Sequence, residues 1–585
     1  MRSVLMFAVW LSLACFNSPL PAARPNVLVI TVDDMSCDSV GAFGCELPGT
    51  TPNIDRLASE GLRFRHAHVQ VGNCMPSRNV LWSGRYPHSN QIEGFYQVRS
   101  VTWPHLVDLM KGAGYFTGIR GKVPHSTPYS PYPWDVVLDA TQDKPHTKEP
   151  GSYGESTRLG LAQSREADKP FCLVINVSDP HKPFYGMGKG DREVDDPHRP
   201  THVYTPEDVP IPGFLFDHPD VRRELAHYYS SVRRADDAVG HILQALQESG
   251  AAENTLLVFL SDHGMPLPFA KTGLWYHSTH TPLIFRWPGV TAAGSIDEEH
   301  LVSSVDMLPT LLDAVEIEAP EGLQGRSYLP LLRQEQQPGW DVVVTEYNEN
   351  SGGARNPMRA VHTKRCGYIY NPWVNGTREF LTATRGTISY RTMKKLAPQD
   401  DAIAARLALF ERGVPEEFYD YEHDPDALHN LIDDPAWQAE IDRHRQLLHD
   451  WMVRTGDHAL EAFEHREDPA VAEAYVERME AESAARRQGG RRKGRGEADE
   501  DAEPAATPAR RRAKEQAGLI KLLAPQEIAA GVTIKVRIEH HLPSELGQQS
   551  LQVTLKEGKA GKRVARETAT ASGEGTAVVE FTIPR

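Results

Sequence analysis

Residues 24–34 read RPNVLVITVDD, a nearly unbroken apolar run from Val27 to Val32 that stops on Asp33 and Asp34. A strand with one wet face alternates polar and apolar side chains. A continuous run instead suits a strand covered on both faces in a parallel sheet, with the two carboxylates at its C-terminal edge. The pattern returns in KPFCLVINVSDPHKPF (169–184) and NTLLVFLSDHG (254–264), each an apolar run cut short by polar residues able to ligate or titrate. Between these runs lie helix-like stretches at 53–64, 103–114 and 222–250, the last with apolar positions at Leu225, Tyr229, Val232, Val239, Leu243 and Leu246. Strands alternating with helices predict an α/β fold with a mostly parallel sheet flanked by helices. Ligands of such sheets gather beyond the carboxyl ends of the strands. Asp33 and Asp34, His181, and Asp262 and His263 are therefore expected to meet, although far apart in sequence.

From about Glu316 the texture shifts to shorter strands, DVVVTEY (341–347) and MRAVHTKRCGYIYN (358–371), followed by the helical PAWQAEIDRHRQLLHDWMVRTG (435–456). The chain is accordingly divided into an α/β domain at 24–315 and a smaller α+β subdomain at 316–466. A charged, apolar-poor stretch at 467–516 is expected to be a disordered linker. The last segment, 517–585, contains TIKVRIEHH, SLQVTLKEG and TAVVEFTIP, whose alternation predicts a small β-sandwich-like module.

Residues 1–23 carry Arg2, an apolar run from Val4 to Phe16 and the small-residue end PLPAA, the pattern of a secretory signal peptide. The run is shorter than the ~20 residues a bilayer crossing needs. Export to the periplasm or exterior is expected, with no membrane span. A formal net charge of -16 over 585 residues argues against nonspecific nucleic-acid binding and leaves room only for a local basic pocket. Of six cysteines, Cys15 lies in the leader; Cys37, Cys45, Cys74, Cys172 and Cys366 remain. Five is odd, so at least one is outside any intramolecular pair, while Cys37 and Cys45 are near enough in sequence to bridge.

Cys74 stands in NCMPSRNVLWSGRYPHSNQ (73–91). A thiol nucleophile needs a thiolate and a partner base, and a lone cysteine is more often a core residue. The pentapeptide CMPSR, however, resembles the signature C-x-P-S-R of the formylglycine-dependent sulfatases, an alkaline-phosphatase-like family. PNVLVITVDD, TPNIDRLASEGLRFRHAH, GKVPH, SDPHKPF, SDHG, SVDMLPTLLDAV and FYDYEHDPDALHNLIDD are similar to further sulfatase blocks, in sulfatase order. The resemblance spans about 25–463.

What it implies suits the chemistry of a sulfate ester, an anion with a hindered tetrahedral sulfur. Asp33, Asp34 and Asp262 offer hard oxygens for one Ca²⁺, with position 74 and His263 completing the metal shell. Cys74 is implied to be oxidised by a formylglycine-generating enzyme. Its hydrated aldehyde would attack sulfur, form a covalent sulfo-enzyme intermediate and later expel sulfate. Arg78, Lys122 and Lys271 match positions that hold sulfate oxygens, and His125 and His181 match the general acid and base.

The P-x-P approach to Lys271, NPMRAVHTKRCGYIYN and VPEEFYDYEHDP resemble the N-sulfoglucosamine sulfohydrolase branch. That resemblance implies N-sulfated glucosamine in a heparan-type oligosaccharide or glycosaminoglycan as substrate, with Glu346, Glu349, Asn350 and Arg359 at the sugar. The three-residue step from Lys122 to His125 resembles iduronate-2-sulfatases instead, so O-sulfate cleavage is the alternative. A phosphoesterase of the same superfamily, or a catalytically silent glycan binder, are further readings that the cysteine and the aspartate-rich set disfavour.

Overall fold

The computed structural model describes residues 24–139, 147–188 and 190–491, together with five C-terminal strands between 520 and 582. The expected signal peptide and residues 492–516 of the expected linker lie outside the described residues.

An eight-stranded sheet is built from β1 (Asn26–Asp33), β2 (Leu62–His68), β3 (Phe116–Arg120), β4 (Val136–Val137), β5 (Phe171–Pro180), β6 (Thr255–Ser261), β7 (Leu283–Arg286) and β8 (Ser295–Ser303), in the order β4-β3-β5-β1-β6-β7-β2-β8. All pairings are parallel except those of β7 with β6 and β2. The uninterrupted apolar runs are explained by two cores, one on each side of the sheet. Leu28, Ile30 and Val32 of β1 face one core, and Val27 and Val29 the other. Alternate residues of β5 and β6 divide the same way, Leu173 and Leu257 to one side, Cys172 and Leu256 to the other.

The first core is closed by the 30-residue helix Pro219–Glu248, which buries Leu225, Tyr228, Val232, Ala235, Val239, Ile242 and Leu246 at helical spacing. The second is closed by the helices Leu106–Gly112 and Met307–Ala314, through Leu106, Met110, Leu308, Leu311 and Leu312. No helix among the described residues is long and apolar enough to cross a membrane.

A second, antiparallel sheet carries β9 (Val343–Glu349), β10 (Arg355–His362), β11 (Cys366–Tyr370) and β12 (Glu416–Asp420), in the order β12-β11-β10-β9. The helix Gln438–Thr455 packs on it through Ile441, Leu448, Trp451 and Met452.

Residues 469–491, expected as the start of a disordered linker, instead form a helix, Pro469–Arg491. The reason is a short apolar stripe hidden among charges: Tyr475, Val476 and Met479 are buried, one helical turn apart, in the same core as β10. The thiols of Cys37 and Cys45 are both free, without the bridge their spacing allowed. The described C-terminal strands belong to a separate compact unit. Its strands are β13 (Ile520–Leu523), β14 (Thr533–His541), β15 (Gln549–Lys556), β16 (Arg563–Ala571) and β17 (Glu574–Thr582), arranged as antiparallel sheets β13-β14-β17 and β15-β16.

Candidate active site

Parallel strands deliver their C-terminal ends to one edge of the sheet, and the polar residues that end the apolar runs collect there. Neighbouring strand residues normally point to opposite faces, yet Asp33 and Asp34 serve one site. Two irregularities permit this. The β1–β5 register, regular through Val32 and Val177, jumps so that Asp33 pairs with Pro180. Asp34 then turns back with φ of 71°, a left-handed conformation that aspartate tolerates better than most residues. Lys122, just beyond β3, has φ of 50° and follows Gly121, where an added Cβ would lie 2.5 Å from the carbonyl oxygen of Asn176.

Cys74 opens the helix Cys74–Ser83, which is buried along its whole length. Its Sγ lies 3.2 Å from Nε2 of His263, 3.6 Å from Oδ1 of Asp33 and 4.0 Å from Nζ of Lys271. One turn along the helix, the Arg78 guanidinium fits between two strand ends. Its Nη2 is 3.3 Å from Asp33 and 2.9 Å from Asp262, and its Nη1 donates to Thr31 at 2.8 Å and Asn176 at 2.6 Å. Lys271 donates to both oxygens of Asp34 at 2.7 and 2.9 Å, and Lys122 is 3.1 Å from Asp33. His263 Nε2 stands 3.1 Å from Asp34, and His181 Nε2 stands 4.0 Å from the other oxygen of that carboxylate. His125 sits in the turn Val123–Ser126, its ring edge-on to Phe95 at 5.3 Å.

The electrostatics follow from burial among opposite charges. Burial alone would raise the Asp33 carboxyl, but Lys122, His181, Arg78 and Lys271 hold it well below the usual carboxylate range. Burial likewise opposes ionisation of Asp34, and Lys271 with the two histidines reverses it. Burial pushes the Cys74 thiol well up, and Asp33 pushes it further. A thiolate is thus disfavoured at position 74, so the cysteine as it stands is poorly suited to act as a nucleophile. The side chains of His181 and Lys122 are 16% and 10% exposed, against 0–1% for the carboxylates, which places the open side of the site at these two residues.

One atom each from Asp33, Cys74, Asp262 and His263 lies within 4.8 Å of the others, and the same holds for Asp33, Asp34 and His181. Three converging carboxylates with an imidazole fit a hard divalent cation. The carboxylates of Asp33, Asp34 and Asp262 are balanced by Arg78, Lys122 and Lys271, so a bound dication would leave the pocket positive and receptive to an anion.

A family model described as sulfatase matches residues 25–317, and one described as N-sulphoglucosamine sulphohydrolase, C-terminal, matches 262–374. The human N-sulphoglucosamine sulphohydrolase is 31% identical over 479 residues, covering 74% of this chain and 91% of that protein. The chain belongs to the sulfatase family. A delta 4,5-hexuronate-2-O-sulfatase of Bacteroides thetaiotaomicron is 26% identical, with 74% of this chain and 90% of that protein covered. The fold is shared more widely. The phosphonate monoester hydrolase of Agrobacterium radiobacter superposes with a TM-score of 0.55 at 19% identity, over 74% of this chain and 96% of that one.

Of the four residues expected at the sugar, Glu349 touches the start of the helix that Cys74 opens, its carbonyl accepting from the side chain of Asn73 at 3.3 Å. Glu346 and Arg359 are fully buried elsewhere. Glu346 accepts from His88 through the backbone at 2.9 Å and the ring at 2.6 Å, and Arg359 is bidentate on Asp457 at 2.5 and 2.8 Å. Asn350 closes a turn by accepting from the Ala354 amide at 2.9 Å. Two supports escape a motif search: Thr31 and Asn176, which pair across β1 and β5 and hold Arg78. Their signal was available, a polar residue inside each apolar run. Lys148 has no such signal; it pins the His181 loop through the carbonyl of His181 at 2.6 Å and Asp179 at 2.9 Å.

Proposed function

We propose that this sulfatase is an exported hydrolase that removes the N-sulfate of glucosamine in a heparan-type glycan, with Cys74 as the precursor of a formylglycine. The observation that carries the reading is the enclosure of Cys74 Sγ by Asp33, His263 and Lys271, beside the Arg78 guanidinium, which bridges Asp33 to one further carboxylate, Asp262. Formylglycine supplies an aldehyde hydrate, an oxygen nucleophile where a thiolate is unfavourable. Asp33, Asp34, Asp262, His263 and position 74 would hold a Ca²⁺, which when bound would supply positive charge for polarising a sulfate oxygen.

The remaining work falls to the chain's own groups. Arg78 and Lys271 hold the carboxylates and the position-74 side chain in place, so that charge arising in transfer meets fixed cations. Lys122, at the open side, meets the incoming sulfate. His181 and His125 are the candidates for moving protons at the leaving nitrogen and the nucleophile. Residues 1–23 support export. Cys74 is only 3% exposed, so a formylglycine-generating enzyme would have to act before the chain folds around it.

The match of residues 262–374 and the 31% identity to the human enzyme support N-sulfate cleavage. The hexuronate-2-O-sulfatase relative and the three-residue Lys122–His125 step favour a second reading, O-sulfate cleavage at a uronate. Released sulfate from a panel of N-, 2-O- and 6-O-sulfated glucosamine and uronic-acid sugars separates them. The N-sulfated sugar is expected to turn over fastest; a faster O-sulfated sugar transfers the assignment to the second reading.

A further inference from the structure

The helix Pro469–Arg491 lies beyond both matched family segments, yet it reaches the region of Cys74. The connection runs through Glu349, whose carbonyl accepts from Asn73, the residue that precedes Cys74. The Glu349 carboxylate packs against Gly94, where an added Cβ would lie 2.8 Å from Oε1, and it accepts a hydrogen bond from Nη2 of Arg486. On its other side, the loop containing Gly94 touches the proposed acid–base group. Phe95 meets the ring of His125, and Gln97 Nε2 donates to the carbonyl of Pro124 at 2.6 Å. The loop is thus held between His125 and Arg486.

Arg486 is built to stay in one orientation. Its guanidinium lies over the Tyr96 ring, 4.4 Å from the centroid, and Tyr96 is itself fixed by its hydroxyl, which donates to Gln91 and accepts from the Glu93 amide. The helix is pinned alongside by Ser483 and Arg487, which donate to the carbonyls of Gly353 and Gly352, each at 3.0 Å. Glu349 is 6% exposed but Arg486 is 32% exposed, and Glu349 is also 3.5 Å from Arg355. Two guanidiniums therefore share one carboxylate. Among the described residues Arg486 makes no other hydrogen bond, so the rest of its planar set of donors is left to bond elsewhere.

We propose that Arg486 binds a second anionic group of the substrate, a sulfate or carboxylate other than the one being cleaved, and so selects multiply charged glycans over singly sulfated sugars. This rests on the N-sulfate reading of the site above. A guanidinium stacked on an aromatic ring and held at one edge by a carboxylate is preorganised for bidentate capture of such a group.

The test compares KM and kcat of wild-type, R486A, R486K and R487A proteins, all with Cys74 converted, on three sugars. These are N-sulfated glucosamine, the same sugar bearing a 6-O-sulfate, and a disaccharide joining it to a hexuronate. R486A is expected to raise KM on a doubly charged sugar by about tenfold more than on the singly sulfated one, the size of a lost charge-assisted bond. R486K should recover part of the difference, and R487A should leave the ratio of the KM values unchanged. An effect confined to the 6-O-sulfated sugar identifies a sulfate as the ligand; one confined to the disaccharide identifies the carboxylate. Equal changes on all three sugars, or the same pattern in R487A, overturn the inference and reduce Arg486 to a helix pin. Wild-type protein that releases no sulfate from N-sulfated glucosamine overturns the site reading and this inference together.

Discussion

Arg78 has no exposed surface and contacts both Asp33 and Asp262, themselves buried. Removing one partner of such a group costs far more than the net worth of the interaction, because the remaining charges stay behind without water. R78A should therefore lose about 3–5 kcal/mol in urea unfolding as well as all sulfate release. A loss below about 1 kcal/mol would show the carboxylates to be solvated. C74A should behave oppositely, with sulfate release at background and stability within about 1 kcal/mol of wild type, since only a small buried side chain goes. Full turnover by C74A would end the proposed chemistry. The difference between these residues bears on what a sequence can show. Cys74, Arg78 and the strand-end aspartates were legible because they sit where an apolar run stops or inside a motif. Glu346 and Arg359 were placed at the sugar by resemblance to the N-sulfoglucosamine sulfohydrolase branch; nothing in the spacing reveals that His88 and Asp457 pair with them in the interior.

At the scale of elements, β1, β5 and β6 were legible because burial on both faces leaves a composition that few other elements have. The helix Pro469–Arg491 was not, because its apolar stripe is short and its charges dominate any average. M479A tests whether that stripe contributes to stability. Met479 is 3% exposed and its sulfur lies 3.2 Å from Arg355, so the substitution should cost about 2–5 kcal/mol by chemical denaturation. A stretch acting only as a linker would show no change.

At the scale of the molecule, the eight-stranded and four-stranded sheets meet at a buried stack of histidines. The His68 ring lies 5.2 Å from His362 and 5.4 Å from His280. Burial lowers all three, His280 and His362 to about 3. The unfolded chain binds protons at these rings near pH 6.5, the folded one does not. Their contribution is therefore complete above about pH 6.5 and lost progressively as pH falls below it. The melting temperature should be level above pH 7 and fall steadily below 6.5, with H362Q giving a shallower slope. Asp457, lowered to about 2 against burial mainly by Arg359, works in another window: its contribution is lost only below about pH 4. A melting temperature unchanged from pH 7 to 5 would contradict the histidine account.

Asp34 and Lys122 hold left-handed backbone, and Thr272 does so immediately after Lys271. For anyone wishing to transplant this chemistry, the portable unit is then the bent main chain and not the side chains it carries. A regular parallel sheet given the same aspartates and lysines would aim every second one into its core, whereas a scaffold with the same kinks could accept new side chains and a new reaction.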